Sequence, residues 1–202
     1  MTDETPLVHV VDDDAGIRDS IDFLVSSVGY QCKTHASAEA FLDTFKAGSS
    51  GCLVVDVRMS SMSGLELQRL LVERGSTLGV VLVTGHGDVP MAVKAMRGGA
   101  VDFLEKPFND QRLLDCINEA LRYSTQATAG AVCRAAIDAR LARLTTRERE
   151  VLDLVVAGKP NKVIAATLDI SIKTVEVHRS NVMEKMAVMS VAELACCVKL
   201  AK

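Results

Sequence analysis

Asp56 closes the run Leu53-Val54-Val55, an apolar, β-branched stretch of the kind that lies buried on both faces of a parallel sheet. A carboxylate at that point needs a reason. In open α/β sheets the chemistry gathers beyond the carboxyl ends of the strands, so Asp56 belongs on the floor of a site and not in the core. Three further apolar runs end in complementary groups. Leu7-Val-His-Val-Val11 leads into Asp12-Asp13-Asp14, Val80-Val-Leu-Val-Thr84 ends in a hydroxyl, and Ala100-Val-Asp-Phe-Leu104 is followed by Glu105-Lys106-Pro107. Adjacent carboxylates repel one another. On a surface they would simply be solvated; directly after a buried strand they are better explained as ligands for a hard divalent ion such as Mg2+, which takes oxygen donors. A carboxylate can act as nucleophile toward a phosphoryl group, and a hydroxyl and an ammonium can bind the phosphoryl oxygens. Singly, Thr84 is only a β-favouring residue and Lys106 a surface charge. Their joint placement at consecutive strand ends points to phosphoryl transfer, with Asp56 as the acceptor. Nothing nearby orients His86 as a base, and it reads as a loop residue.

The intervening segments have the periodicity of helices that would hold these strand ends together. Ala15 to Val28 carries Ile17, Ile21, Leu24, Val25 and Val28 on one stripe and stops at Gly29. A strand near Gln31–His35 precedes a helix capped by Ser37, with Phe41, Leu42 and Phe45 inward. The loop Ala47-Gly-Ser-Ser-Gly51 lacks the spacing of a phosphate-binding loop. Ser63-Gly-Leu-Glu66 has capping-box spacing and opens a helix through Arg74. Asp88 caps Val89–Arg97, where Pro90 is tolerated in the first turn, and Asp110–Tyr123 forms the last helix of the unit. Five strand–helix repeats imply an α/β doubly wound, five-stranded parallel sheet of the flavodoxin-like kind over residues 1–123.

Composition excludes several classes. Hydrophobic residues make up 49% and charged residues 24%, as in a folded globular chain, and no apolar run is long enough for a membrane span. The start, Met-Thr-Asp-Glu-Thr-Pro, lacks the basic and apolar regions of a signal peptide, so a cytoplasmic location and no membrane partner are expected. The six cysteines show no CxxC pair and no zinc spacing, and read as reduced packing residues. Charge is unevenly divided: residues 1–122 hold 11 Lys/Arg against 18 Asp/Glu, and residues 123–202 hold 12 against 8. An acidic half and a nucleic-acid-facing half fit that division.

Val11-Asp12-Asp13, the strand into Asp56, Val83-Thr84-Gly85 and Glu105-Lys106-Pro107-Phe108 together resemble the receiver domain of a bacterial two-component response regulator. The wording from Thr84 to Val93 and from Gly99 to Phe108 resembles the FixJ-like subgroup. The resemblance implies that Asp56 accepts a phosphoryl group from a sensor histidine kinase. It also implies that Asp13 and Asp56, with Asp12 close behind and the backbone carbonyl of Arg58, ligate Mg2+. Thr84 and Lys106 would bind phosphoryl oxygens, Phe103 would change rotamer as Thr84 moves inward, and Lys106-Pro107 would be a cis peptide. One departure is visible: Ser60 stands where the family usually has proline. The expectation is a looser loop, bearing on the lifetime of the phosphorylated state more than on its formation.

From Ser124 to about Ala142 the chain is Ala-rich with one glycine, Gly130, and reads as a partly helical linker. Beyond it, Thr145-Thr-Arg-Glu148 is a capping box for a helix with Val151, Leu152 and Val155 inward, closing at Gly158. Asn161–Leu168, a helix from the Ser171 cap to Met186, and a fourth capped by Ser190 complete an all-α, four-helix helix-turn-helix unit over residues 143–202. Val175, Val182 and Met186 face inward in the third helix. Lys173, Thr174, Glu176, Val177, Ser180, Asn181 and Lys185 lie opposite, a polar face that is either solvated or groove-reading.

The string Leu144 to Leu152, with Gly158, Asn161, Ile164-Ala165, Ile170-Ser171, Lys173-Thr-Val175, His178 and Lys185-Met186, resembles the LuxR-type DNA-binding domain. By that resemblance Glu176, Val177 and Ser180 face base edges, while Lys173, Thr174, Arg179 and Lys185 meet phosphates. His178 is either packing or a phosphate contact. Glu176 can accept from cytosine N4 yet repels the backbone. The reading is a phosphorylation-controlled transcription regulator and not an enzyme, dimerising on phosphorylation to bind promoter DNA, with RNA polymerase as a further partner if it activates. The nucleoid is the place expected for its active form. The rivals are a DNA-binding protein with a constitutive receiver-like dimerisation module, and a phosphatase.

Overall fold

The computed structural model describes residues 7–46 and 48–201. The N-terminal hexapeptide and Ala47, on which the leader and loop readings partly rest, lie outside the described residues. The chain divides into two compact units, Met1–Ala129 and Gly130–Lys202.

The first unit alternates β1 (Leu7–Val11), α1 (Ala15–Ser27), β2 (Gln31–His35), α2 (Ala38–Thr44), β3 (Cys52–Asp56), α3 (Gly64–Glu73), β4 (Gly79–Thr84), α4 (Val89–Arg97), β5 (Asp102–Glu105) and the start of α5 (Asp110–Ala142). The five strands are parallel in the order β2-β1-β3-β4-β5. Successive side chains alternate between faces. Val8, Val10, Val54, Val81 and Val83 therefore join Ile21 and Val25 of α1 and Leu113 and Ile117 of α5 in one core. Val11, Leu53, Val55 and Leu82 join Phe41 of α2, Leu67 and Leu71 of α3 and Ala95 of α4 in the other. β3 and β4 are buried along their whole length, as their apolar runs require.

Local signals set the helix ends. Asp14 accepts from the amides of Gly16 and Ile17, Ser37 from Ala40 and Asp88 from Met91, while Ser63 and Glu66 form the expected capping box. α1 stops at Ser27, before Gly29 at φ +89°, and Val28 is exposed and not part of the inward stripe. The fifth strand starts at Asp102, two residues later than expected, although the Val101 amide still donates to Val80. Helix α5 runs well past Tyr123, because its Ala-rich continuation contains no proline and no cap residue to stop it. Ser124 Oγ accepts from the Gly51 amide at 2.9 Å, and Thr128 Oγ1 donates to Thr77 Oγ1 at 2.8 Å, so both residues pack with the first unit.

The second unit comprises the end of α5, α6 (Thr146–Val156), α7 (Asn161–Leu168), α8 (Ile172–Met186) and α9 (Val191–Leu200). Ile137, Val151, Leu152, Val155, Ile164, Val175, Val182, Met186, Leu194 and Val198 form its core. Capping by Thr145 with Glu148, by Ser171 and by Ser190 matches expectation, as do the bounds of α7, which follows Pro160. Among the cysteines, Cys52 and Cys116 are buried packing residues, but Cys133 and Cys196 are exposed on helix surfaces. No helix among the described residues is long and apolar enough to cross a membrane.

Candidate functional site

The parallel sheet brings the ends of β1, β3, β4 and β5 to one edge. Lys106 Nζ donates to Asp12 Oδ2 and to Asp56 Oδ1, each at 2.7 Å, and so bridges two carboxylates from different strands. Asp12 and Asp56 are buried, and Thr84 is fully enclosed. Asp56 Oδ2 accepts from the Arg58 amide at 2.7 Å, and Asp12 Oδ1 from the Asp14 amide at 2.9 Å. Burial raises the Asp56 carboxyl above its ordinary value; the Lys106 ammonium and the Arg58 amide oppose that shift, and the Asp12 charge adds to it. Burial would lower Lys106, but hydrogen bonds and attraction from Asp12 and Asp56 raise it overall, so it stays an ammonium.

The three consecutive acids have three different occupations. Asp12 faces Lys106, Asp14 caps α1, and Asp13, exposed, accepts from the Ser60 amide at 3.1 Å. Asp14 therefore drops out of the acidic cluster. The remaining donors are all oxygen, which suits a hard cation, and two of them already converge on one positive point. Among the described residues no three His, Cys, Asp or Glu side chains share a common point. The group thus fits Mg2+ in donor chemistry, with Asp13 turned toward the loop.

Thr84 Oγ1 lies 3.3 Å from both the amide and the carbonyl of His86, so its hydroxyl faces the loop after β4. Phe103 is half-buried against the second core. A Cβ on Gly87 would lie 3.1 Å from the Phe103 ring and 3.4 Å from the Thr84 methyl, so glycine leaves room for the ring beside Thr84. Glu105, which the sequence did not single out, accepts from the Gly87 amide at 3.2 Å and pins that loop to β5. At Gly64, a Cβ would come within 2.4 Å of the Asp56 carbonyl, so only glycine lets α3 start so close to Asp56. Lys106-Pro107 is cis, as expected. The loop containing Ser60 is tied at two points: besides the Asp13 contact, Ser61 Oγ donates to Glu39 Oε2 at 3.0 Å.

In the second unit, Ile170 and the left-handed Asp169 turn the chain from α7 into α8. Lys173, Thr174, Glu176, Val177 and Ser180 are exposed on α8, and neither Lys173 nor Glu176 makes an ion pair among the described residues. Three neighbours already have partners within the unit. Thr174 shares a 2.8 Å hydrogen bond with the Ser171 hydroxyl, and Arg179 donates to Asn161 Oδ1 at 2.9 Å, joining α8 to α7. Lys185, expected to meet phosphates, donates to both oxygens of buried Glu148 at 2.6 and 2.8 Å. It closes an ion pair between α8 and α6, so its charge is already matched. That pairing could not be seen in sequence, because Glu148 is 37 residues away and also serves the Thr145 capping box. Lys185, followed by Thr145, holds the Glu148 carboxyl at about 2. Among the described residues His178 Nδ1 is buried without a partner, which places that edge of the ring in the packing.

Family comparison agrees with both halves. Residues 8–118 match the response regulator receiver domain, and residues 142–198 match the luxR family of bacterial regulatory proteins. The chain is 50% identical to the transcriptional regulatory protein FixJ of Rhizobium meliloti (strain 1021), covering 96% of this chain and 94% of that protein. It is 43% identical to the response regulator protein TmoT of Ectopseudomonas mendocina, covering 96% and 88%. Among solved structures, the response regulator StyR aligns with a TM-score of 0.81 at 40% identity over 96% of this chain and 98% of that one. Full-length FixJ from B. japonicum aligns with a TM-score of 0.59 at 45% identity over 97% of each. The chain belongs to the FixJ-like two-component response regulators, phosphorylation-controlled transcription regulators that join a receiver domain to a LuxR-type DNA-binding domain.

Proposed function

We propose that a sensor histidine kinase passes a phosphoryl group to Asp56 and that this drives the chain to pair and bind promoter DNA. The observation that carries the reading is the Lys106 ammonium held at 2.7 Å from both Asp12 and Asp56 at the strand ends. An Asp56 oxygen attacks phosphorus as the bond to the donor histidine breaks, giving an acyl phosphate. Lys106 and Thr84 then bind the phosphoryl oxygens. Asp12, Asp13, Asp56 and the Arg58 carbonyl would hold Mg2+, which supplies the charge that lets an anionic acceptor meet an anionic phosphoryl group. Turning Thr84 from the His86 backbone toward the new oxygens vacates space that Phe103 can enter. A full population switch takes about 5.5 kcal/mol of differential stabilisation.

Pairing through α4 is supported by its apolar exposure: Val89, Val93 and Met96 all face solvent. Two copies would then set two α8 helices on half-sites roughly 34 Å apart. Glu176, Val177 and Ser180 face base edges in this reading, with Lys173 and Thr174 on phosphates and Arg179 and His178 behind them. RNA polymerase would be the further partner of an activator, the role favoured by resemblance to the FixJ-like subgroup, and the cytoplasm and nucleoid its place of action.

The test is mass and sedimentation of wild type and Asp56→Asn, with and without acetyl phosphate and Mg2+. Gain of one phosphoryl group with a monomer-to-dimer shift, both lost in Asp56→Asn, is expected. Modification without association would remove the pairing step, and no modification would leave the receiver as a constitutive dimerisation module.

A further inference from the structure

Ser60 lies in the loop between β3 and α3. Its backbone N–H donates to Asp13 Oδ2 at 3.1 Å, joining the loops after β1 and β3. Proline has no N–H, so this contact exists only because residue 60 is not proline. The loop is tied again one residue on, where Ser61 Oγ donates to Glu39, and it ends in the Ser63–Glu66 capping box. Asp13 thus differs from its neighbours in the site. Asp12 and Asp56 converge on the Lys106 ammonium, whereas Asp13 is exposed and directed to the loop backbone.

We propose that the Ser60 amide is a latch on Asp13. It parks the third carboxylate on the β3–α3 loop, and a divalent cation arriving at Asp12 and Asp56 draws Asp13 Oδ2 off Ser60 as it takes that carboxylate into its oxygen shell. The inference rests on the reading of Asp12, Asp13 and Asp56 as the cation site. An amide–carboxylate hydrogen bond is charge-assisted, so it competes with the cation for the same carboxylate. Its loss frees the segment directly after the phosphoacceptor, while the Ser61–Glu39 tie limits the release to a few residues. Cation binding and loop movement become one event, and removing the donor makes the cation bind more tightly.

The full chain can be tested with Mg2+ alone, by calorimetric titration and by amide hydrogen exchange of 15N-labelled protein. The Ser60 amide is expected to be protected without Mg2+ and to lose protection as Mg2+ saturates. Ser60→Pro should bind Mg2+ about three- to tenfold more tightly than wild type, while Ser60→Ala, which keeps the amide, stays within about twofold. A thermal melt checks that Ser60→Pro folds; if it does not, the wild-type exchange result decides alone. Protection that survives saturation, or equal or weaker binding by folded Ser60→Pro, overturns the latch and leaves the cation site standing. Absence of Mg2+ binding by wild type overturns the cation site, and the latch with it.

Discussion

Lys106 and Lys185 occupy similar settings in the two units. Each ammonium approaches a buried carboxylate to 2.7 Å or less, and each joins elements distant in sequence. They differ in arithmetic. Lys185 meets one carboxylate and the charges cancel, so the Glu148 pair is complete and its work is to hold α6 to α8. Lys106 meets two, and the strand-end site keeps a surplus of negative charge. A surplus that burial makes costly is a standing demand for another positive group, whereas a cancelled pair has no chemistry left to offer. The strand-end site and the Lys185–Glu148 ion pair are thus distinguished by what remains unneutralised.

The comparison can be broken most severely at Lys106. Lys106→Met leaves Asp12 and Asp56 facing each other in a buried place, with an expected loss of about 3 kcal/mol at neutral pH. Because repulsion then raises the Asp56 carboxyl further, the folded state binds the extra proton, and stability should recover as pH falls through the carboxylate range. Urea unfolding at two pH values measures both. In the second unit, Lys185→Met should cost about 2 kcal/mol, and a cycle with Glu148→Gln should show most of it as coupling. Glu148 is held at about 2, below its usual 4.5, so the stability it contributes is present above 4.5 and is lost as pH falls toward 2.

Burial with no countercharge gives the third case. His9 Nδ1 and His35 Nε2 are 3.2 Å apart against Phe41, and burial, then His35 and Lys33, depress His9 from 6.5 to about 4. The unfolded chain binds the proton first, so stability should fall as pH drops from 6.5 to about 4. The expected loss is on the order of 1–2 kcal/mol, discounted for solvent near the ring, and should be absent from the pH–stability curve of His9→Leu. The smallest effect is at Lys173, exposed and free of ion pairs among the described residues. Lys173→Ala should change stability by less than about 0.5 kcal/mol and reduce the salt slope of DNA binding by about one, while Lys185→Met leaves that slope unchanged. A reduced slope in Lys185→Met would return that lysine to the DNA interface.

What was legible in the sequence follows the same division. Asp56, Asp12, Thr84 and Lys106 could be placed because each ends an apolar run, and strand ends of a parallel sheet share one edge. Capping boxes at Ser63 and Thr145 fixed helix starts because they are local. The contacts that escaped notice depend on groups that sequence does not display: the Ser60 backbone N–H, the reach of Lys185 to Glu148, and the enclosure of His9 by His35 and Phe41. Val28 was misplaced because a helical stripe says which side faces inward, not where the core ends. The extent of α5 was hidden by an Ala-rich segment that suits a helix and a linker equally.

The hydroxyls of Ser124 and Thr128 bear on how this protein is dissected. Cutting after Tyr123, at the end of the apolar stripe, would orphan the buried Gly51 amide and free Thr77 from its partner across the sheet's lower rim. An isolated receiver ending at Ala129 should therefore be the sturdier fragment, and a fragment ending six residues earlier would report the frailty of its own cut end.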